Sequence, residues 1–297
     1  MFNFAFINLI LSPAKRFLDP RSALEDFNKV LSVQPERVFA LQRRGEIKRM
    51  LGDYKGALED LNRCCNLGEP DAFTLQSLGS VKRSLGDLQG SLDAFNRAAE
   101  LQPTSWYILR GRGLTKMELE DDAGALEDLA RANQLEPNDK ATLHQMGIAL
   151  YNMKMFTEAI NVLTKALQTN GSEEGDVEIY KFRGLSFAQL KQYEQAFHDL
   201  DISHHIDSSD VFVLLTCGGL KRMCDRKEEA LEDFTLALQI EPNNIEALQR
   251  IGMFIIYLVS RVNKFPPFLH PGSSEKFPLK ISPQNSSNHA LNYYRRS

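Results

Sequence analysis

The sequence predicts an all-α protein built as a solenoid of repeated helical units. Residues 49–60 and 83–94 carry one pattern, a Leu-Gly-Asp turn followed by a helix-forming segment, at an offset of 34 residues. A glycine before each turn keeps this offset through four copies and, after a slip of three residues, returns in three more. Repeats of 20 to 50 residues stack on their neighbours, because one repeat cannot bury its apolar face alone. The recurring glycines are Gly45, Gly79, Gly113, Gly147, Gly184, Gly218 and Gly252.

Other positions of each repeat agree in phase with these glycines. When the glycine is counted as place 8, a small residue stands at place 20, a large apolar residue at place 24, and proline often at place 32. Small residues allow two helices to cross closely, and proline ends the second helix. Place 20 holds Ala57, Ser91, Ala125, Ala159, Ala196 and Ala230; place 24 holds Leu61, Phe95, Leu129, Leu163, Leu200 and Phe234.

With these places occupied, the chain resembles the tetratricopeptide-repeat (TPR) family over residues 21–260. The resemblance implies a right-handed superhelical solenoid of antiparallel helix pairs. It also implies repeats near residues 21–37, 38–71, 72–105, 106–139, 140–176, 177–210 and 211–244, with a partial repeat at 245–260. We expect residues 1–20 to be an irregular segment or a degenerate first helix. Residues 261–297 are rich in Pro, Ser and Asn and are expected to be disordered.

Both ends of the sequence bear on its origin and location. The apolar opening, residues 1–11, lacks a basic segment before it and a small-residue cleavage site after it, so we do not expect secretion. The apolar run at residues 254–259 is too short to cross a membrane. We therefore predict a cytoplasmic protein, with a nuclear location as the alternative. Because no second helix follows Gly252 in the pattern, the sequence suggests a splice form or a fragment of a longer protein.

The sequence contains few patterns that are typical of catalytic, metal-binding or cofactor-binding sites. Cys64, Cys65, Cys217 and Cys224 do not have the spacing of a disulfide framework or a zinc site, so they are expected to be core thiols. Residues 110–116 contain glycines and end in lysine but match no phosphate-binding loop. We predict no enzyme activity, no cofactor and no metal. A net charge of −4 argues against nucleic acid as a partner.

Function is therefore expected on the inner groove of the superhelix, which the first helices line in this family. Lysine at place 5 with asparagine at place 9, the start of the clamp that holds Hsp70 and Hsp90 tails, occurs in no repeat, so such a tail is not the expected partner. Instead, the groove is predicted to bind an acidic segment with apolar anchors. The candidate residues are Phe39, Arg43, Arg49, Phe73, Arg83, Tyr107 and Arg110.

The sequence is compatible with two functions of the whole chain. The favoured one is a non-catalytic scaffold or adaptor that binds protein partners and can self-associate through exposed apolar faces. The alternative is a regulatory or substrate-recruiting TPR part of a larger enzyme. For the candidate residues themselves, the competing interpretation is that the aromatic side chains pack between repeats and the arginines are solvated.

Charged residues four apart recur on the predicted second helices. Places 22 and 26 hold an acid and then a base, the favourable order for an ion pair on one helix. Each such pair would contribute only about 0.2 to 0.5 kcal/mol. The pairs are Glu25 with Lys29, Glu59 with Arg63, Asp93 with Arg97 and Glu127 with Arg131.

Overall fold

The computed structural model describes residues 19–169 and 176–262, with side chains described as far as residue 256. This part of the chain forms fourteen α-helices and no strand, which confirms the predicted all-α fold. The helices are α1 (Pro20–Val33), α2 (Val38–Met50), α3 (Tyr54–Leu67), α4 (Ala72–Ser84), α5 (Leu88–Leu101), α6 (Trp106–Glu118), α7 (Asp122–Leu135), α8 (Lys140–Asn152), α9 (Phe156–Gln168), α10 (Val177–Gln189), α11 (Tyr193–Ile206), α12 (Val211–Met223), α13 (Lys227–Ile240) and α14 (Ile245–Val262).

The helices pack in consecutive pairs, α2 with α3 through α12 with α13, and each pair contacts the next. We call the earlier helix of a pair the first helix and the later one the second helix. Successive first helices from α2 to α10 also contact one another. The chain divides into two compact units after Gln249, inside α14, so this stack of pairs belongs to the earlier unit. None of the helices described is long and apolar enough to cross a membrane.

Aspartates set where several helices begin. The carboxylates of Asp53, Asp87 and Asp121 accept hydrogen bonds from backbone N–H groups three residues later, at 2.9, 3.0 and 2.9 Å. Asp71 and Asp139 cap the first helices α4 and α8 in the same way, each at 2.8 Å. A carboxylate at this position satisfies an N–H group that the helix itself cannot pair.

The turn between the two helices of a pair requires one left-handed residue. Gly52 and Gly86 take φ values of 81°, which glycine adopts without steric cost. The later pairs place other residues in the same position at φ of 59° to 63°. These are Glu120, Lys154, Lys191 and Asp225. The turn is therefore set by the helix packing, since four of the six residues that adopt it are not glycine.

The place-8 glycines lie where the helices of a pair approach most closely. A Cβ atom on Gly79 would lie 2.8 Å from the ring of Phe95, and one on Gly218 would lie 2.6 Å from the ring of Phe234. On Gly113, the Cβ would lie 2.9 Å from Leu129 Cγ. Real Cβ atoms do not approach other heavy atoms this closely, so any larger residue would force the facing phenylalanine or leucine side chain, or its helix, to shift.

Buried ion pairs join the two helices in alternate pairs. Arg112 donates to both carboxylate oxygens of Asp128 at 2.8 and 2.6 Å, and Lys116 lies 2.7 Å from the same carboxylate. The two-bond contact recurs between Arg44 and Asp60 and between Arg183 and Asp199, and Lys48 also contacts Asp60. The three aspartates are almost fully buried, at 1 to 4% exposure. The pair α4/α5 instead has Leu78 and Ala94 at these places.

The expected ion pairs along the second helices do not form. In the described residues, no acid at place 22 lies within 4.0 Å of the base at place 26. Lys29 lies 3.7 Å from Asp26 rather than from Glu25, and Arg63 donates instead to the carbonyl oxygen of Pro35 at 2.9 Å. These side chains are exposed, and water solvates each charge nearly as well as a weak surface pair would.

Candidate functional site

The seven candidate residues all lie on three successive first helices that contact one another. Phe39 and Tyr107 are exposed, at 44% and 38%, and the other five are partly buried. By helix, the residues are Phe39, Arg43 and Arg49 on α2, Phe73 and Arg83 on α4, and Tyr107 and Arg110 on α6. We call this surface of α2, α4 and α6 the first-helix face.

Arg43 joins two of the candidate aromatic residues. Its guanidinium carbon lies 5.2 Å from the ring centroid of Phe39 and 4.4 Å from that of Phe73. Both distances are within the range of cation–π contacts. The two rings belong to neighbouring repeats, so the arginine links α2 to α4. A guanidinium held between two rings loses little further conformational entropy when it binds a carboxylate.

Arg110 makes a second stack of the same kind. Its guanidinium carbon lies 5.0 Å from the ring of Trp106 and 4.9 Å from the ring of Tyr107. It also donates to Asp139 at 2.9 Å, the aspartate that caps α8. Burial alone would raise the pKa of the Asp139 carboxyl, but hydrogen bonds from Thr142 and Arg110 outweigh burial and hold the pKa below its usual value.

The charges of Arg49 and Arg83 are balanced by neighbouring acids. Arg49 donates two hydrogen bonds to Glu46, at 3.1 and 2.8 Å, and this contact raises the pKa of its guanidinium despite partial burial. Arg83 donates to Glu118 at 2.7 Å, which links α4 to α6. Like Arg110, these two arginines are therefore bound to carboxylates within the chain.

Sequence reasoning missed the apolar part of the first helices. Places 9 and 12 carry partly exposed apolar side chains on α6 and α8, place 6 carries one on α10, and a cavity of about 420 Å³ opens between α4, α6 and α8. The sequence contained this signal, because places 9 and 12 change from polar on α4 to apolar on α6. We call Leu114, Met117, Ile148, Tyr151 and Phe182 the apolar strip. The cavity is lined by Arg83, Leu114, Met117, Glu118, Gln145 and Asn152.

The side chains offer little reactive chemistry. All four cysteines are free thiols, and burial raises the pKa of Cys64 and of Cys217 to about 12. Such thiols stay protonated and unreactive at neutral pH. Within residues 19–169 and 176–256, no group of three His, Cys, Asp or Glu side chains could hold a metal ion.

Comparisons with solved structures confirm the resemblance at the level of the fold. A chain of the APC/C hetero-tetramer Cut9–Hcn1 matches with a TM-score of 0.70 and 18% identity over 85% of this chain. The match spans only 49% of that chain, about half its length. No family model and no curated protein matches the sequence.

Two smaller structures match over nearly their whole length. YrrB, described as a TPR protein with an unusual peptide-binding site, aligns with 64% of this chain and 97% of its own, at 21% identity and a TM-score of 0.52. The C-terminal part of a TPR repeat-containing protein from Cytophaga hutchinsonii aligns with 84% of this chain and 99% of its own, at 14% identity and a TM-score of 0.58.

Proposed function

Because the chain has the fold of a tetratricopeptide-repeat array, we propose that it is a non-catalytic scaffold that holds a segment of a partner protein. The segment lies in the groove formed by the first helices and carries acidic residues with apolar anchors. The arrangement of Arg43 between Phe39 and Phe73 is the observation that carries this proposal. The preorganised guanidinium can bind a carboxylate of the partner, and the exposed aromatic surface can pack against its apolar side chains.

The aromatic contacts of Arg43 suggest its role in binding the partner's carboxylate. Its guanidinium lies between the rings of Phe39 and Phe73, which fix it beside an exposed aromatic surface. Arg49, Arg83 and Arg110 contact Glu46, Glu118 and Asp139. Because Arg43 combines a fixed guanidinium with two rings from neighbouring repeats, we assign the principal contact with the partner's acidic residue to Arg43 and a supporting role to the other three arginines.

Selection from a phage-displayed library of random 16-residue peptides tests this proposal. The wild-type chain should enrich peptides that contain Asp or Glu together with aromatic or aliphatic residues. Their binding should weaken as salt rises from 0.1 M to 1 M, because the Debye length falls from about 10 to about 3 Å. Arg43→Glu should reduce the affinity for a selected peptide at least tenfold, which is about 1.4 kcal/mol.

Arg97→Glu is the matched control, because Arg97 is an exposed arginine on the second helix α5 and forms no ion pair within 4.0 Å with another described residue. It should leave the affinity unchanged within a factor of two. If Arg43→Glu and Arg97→Glu have equal effects, Arg43 is not the contact residue. If the library yields no acidic peptides, the proposed class of partner is wrong.

We also propose that the chain self-associates through α14. In this helix Met253, Ile255 and Ile256 are 59%, 42% and 71% exposed, and a Cβ on Gly252 would meet no described atom within 4 Å. The other place-8 glycines each face a leucine or phenylalanine of a second helix. Uncovered apolar side chains at this density favour association.

Sedimentation velocity at tens of micromolar protein tests self-association. The wild-type chain should sediment in part as a dimer or larger species, and Ile256→Asp should shift it towards the monomer. Met223→Asp is the control, because Met223 is similarly exposed, at 69%, but lies on α12. A wild-type chain that is monomeric throughout this range would rule the proposal out.

A further inference from the structure

A cavity of about 360 Å³ lies between α10 and α11, on the side of α10 that faces the second helices. Arg183 marks this side, because it donates to Thr164 on α9 at 3.2 Å and to both carboxylate oxygens of Asp199 on α11 at 2.6 and 2.8 Å. At 3.6 residues per turn, places 7 and 11 lie on the opposite side of a helix from the groove places 2, 5 and 9. The cavity is lined by Arg183, Phe187, Glu194, Gln195, His198 and Asp199.

Two other helix pairs fill the equivalent position with a lysine of their own. In α6/α7, the ammonium nitrogen of Lys116 lies 2.7 Å from Asp128 Oδ2 and donates to the carbonyl oxygen of Gly124 at 3.2 Å. In α2/α3, Lys48 makes the same two contacts at 2.9 and 3.2 Å. Each of these carboxylates binds the place-7 arginine at the same time. A carboxylate at place 23 that holds a guanidinium therefore also accepts an ammonium group.

The pair α10/α11 keeps the arginine and the aspartate but has no lysine between them. Place 11 holds Phe187, and among the described residues Asp199 Oδ2 accepts a hydrogen bond only from Arg183. Phe187, Gln195 and Asp199 stand at the places that Lys116, Gly124 and Asp128 occupy in α6/α7. All three of the α10/α11 residues line the cavity. The cavity therefore lies where the other pairs hold an ammonium group.

The charge and the lining of the cavity also suit an alkylammonium group. Glu194 and Asp199 bring two negative charges against the single positive charge of Arg183. Glu194 lies 3.7 Å from Arg226, but its side chain stays 86% exposed and can turn towards the cavity. Asp199 is only 1% exposed, so a cation that contacts it is shielded from water and more strongly attracted. The partly exposed ring of Phe187 offers an apolar wall to methylene groups and an attractive face to a cation.

We infer that the α10/α11 cavity binds the side chain of a lysine from a partner protein. The ammonium group takes the position that the Lys116 ammonium has in α6/α7, beside Asp199 Oδ2, and the methylene groups pack on Phe187. The inference does not depend on the proposed function. It concerns the other side of the first helices and a cationic group of the partner, whereas the groove is proposed to bind an acidic one.

NMR titration of the ¹⁵N-labelled protein with N-acetyl-lysine amide tests this inference. At constant ionic strength, this compound should cause saturable shifts of the backbone amide signals of Phe187, Gln195 and His198. N-acetyl-norleucine amide has the same methylene chain without the ammonium group. It should bind about tenfold more weakly or not at all, because it lacks the charged hydrogen bond to the carboxylate.

Phe187→Lys should abolish the saturable shifts, because the chain's own ammonium group then fills the cavity as Lys116 does in α6/α7. Its thermal midpoint should equal or exceed that of the wild type. Phe187→Leu removes the ring without adding a charge and should weaken binding only about threefold. Leu101→Lys is the matched control for the added charge, since Leu101 is 57% exposed on the second helix α5. It should leave the titration unchanged.

Glu194→Lys gives a second test that is independent of the folding of Phe187→Lys, because Glu194 lies at the exposed rim of the cavity. The added positive charge should weaken binding about threefold or more. Unchanged binding in this variant would contradict the charge argument.

Three further results would overturn the inference. These are equal binding of the lysine and norleucine compounds, undiminished binding to a folded Phe187→Lys variant, and binding of n-butylammonium chloride without binding of N-acetyl-lysine amide. The last result would identify a free amine, rather than a lysine of a protein, as the ligand. Acidic peptides selected on the groove should bind Phe187→Lys as they bind the wild type. Failure of this inference therefore leaves the proposed function standing, and failure of the proposed function leaves this inference standing.

Discussion

Replacing Asp128 by alanine should lower the free energy of unfolding by about 3 kcal/mol. Asp128 is only 4% exposed and binds both Arg112 and Lys116, so its removal leaves two partly buried cations without their shared carboxylate. Contact with Asp128 raises the pKa of the Arg112 guanidinium, and without that contact the group still remains charged, because the ordinary pKa of arginine lies far above neutral pH. Urea unfolding followed by circular dichroism measures the loss.

Another helix pair of the same chain suggests a second substitution that should restore the lost stability. At the equivalent places, α4 and α5 have Leu78 and Ala94, both buried. Combining Asp128→Ala with Arg112→Leu copies that apolar pair and should recover at least half of the lost stability. Lys116 can then turn to Asp121, as the equivalent Lys82 lies 3.4 Å from Asp87.

Glu127→Ala provides the control for this series, because Glu127 is the preceding residue of the same helix and is exposed. Its effect should stay within about 0.5 kcal/mol, as for most surface substitutions. If Asp128→Ala costs no more than Glu127→Ala, the buried ion pair does not stabilise the array. If the double variant is less stable than Asp128→Ala, the charge of Arg112 was not the cause of the loss.

Replacing Gly113 by leucine should lower the free energy of unfolding by about 3 kcal/mol, at the upper end of the range for overpacked sites. A Cβ at this position would lie 2.9 Å from Leu129 Cγ and 3.2 Å from the carbonyl oxygen of Ala125. The side chain of Leu129 could rotate, but the carbonyl oxygen belongs to the backbone of α7. The two helices must therefore move apart, and the contacts of this pair with its neighbours weaken as well.

Hydrogen exchange should locate this effect in the array. Amide protons of α6 and α7 should exchange faster than in the wild type, while those of α12 and α13 should change little, because repeat arrays couple mainly through neighbours. Gly252→Leu is the control, since no described atom lies within 4 Å of a Cβ there. It should be neutral or slightly stabilising through helix propensity. Equal losses at Gly113 and Gly252 would contradict the packing explanation.

The repeat fold could be predicted from the sequence because its determinants are local. Gly113 and Leu129 lie 16 residues apart in one helix pair, and equivalent glycine and large apolar residues recur in every complete pair. A pattern with this many agreeing places leaves few alternative folds. The expectations for residues 1–20 and for the tail at 261–297 stay predictions, because residues 1–18 and 263–297 lie outside the described part; within it, α1 begins at Pro20 and α14 ends at Val262.

The partners of the charged side chains could not be predicted in the same way. The pattern at places 22 and 26 suggested pairs such as Glu127 with Arg131, whereas the structure buries Arg112 with Asp128 on two different helices. Many acids lie within reach of each arginine along the sequence. Exposed pairs contribute little, so the choice depends on which carboxylates the packing of the helices buries.

The repeat pattern was sufficient to predict an all-α array of helix pairs with the candidate aromatic and basic residues on the first helices. The contacts of these residues became visible only in the folded chain, where Arg43 stacks between Phe39 and Phe73 and Arg83 binds Glu118 on the next first helix. These contacts join different repeats, and side chains of such length reach several neighbours. Their partners are therefore set by how adjacent repeats stack, which the periodicity of a single repeat does not specify.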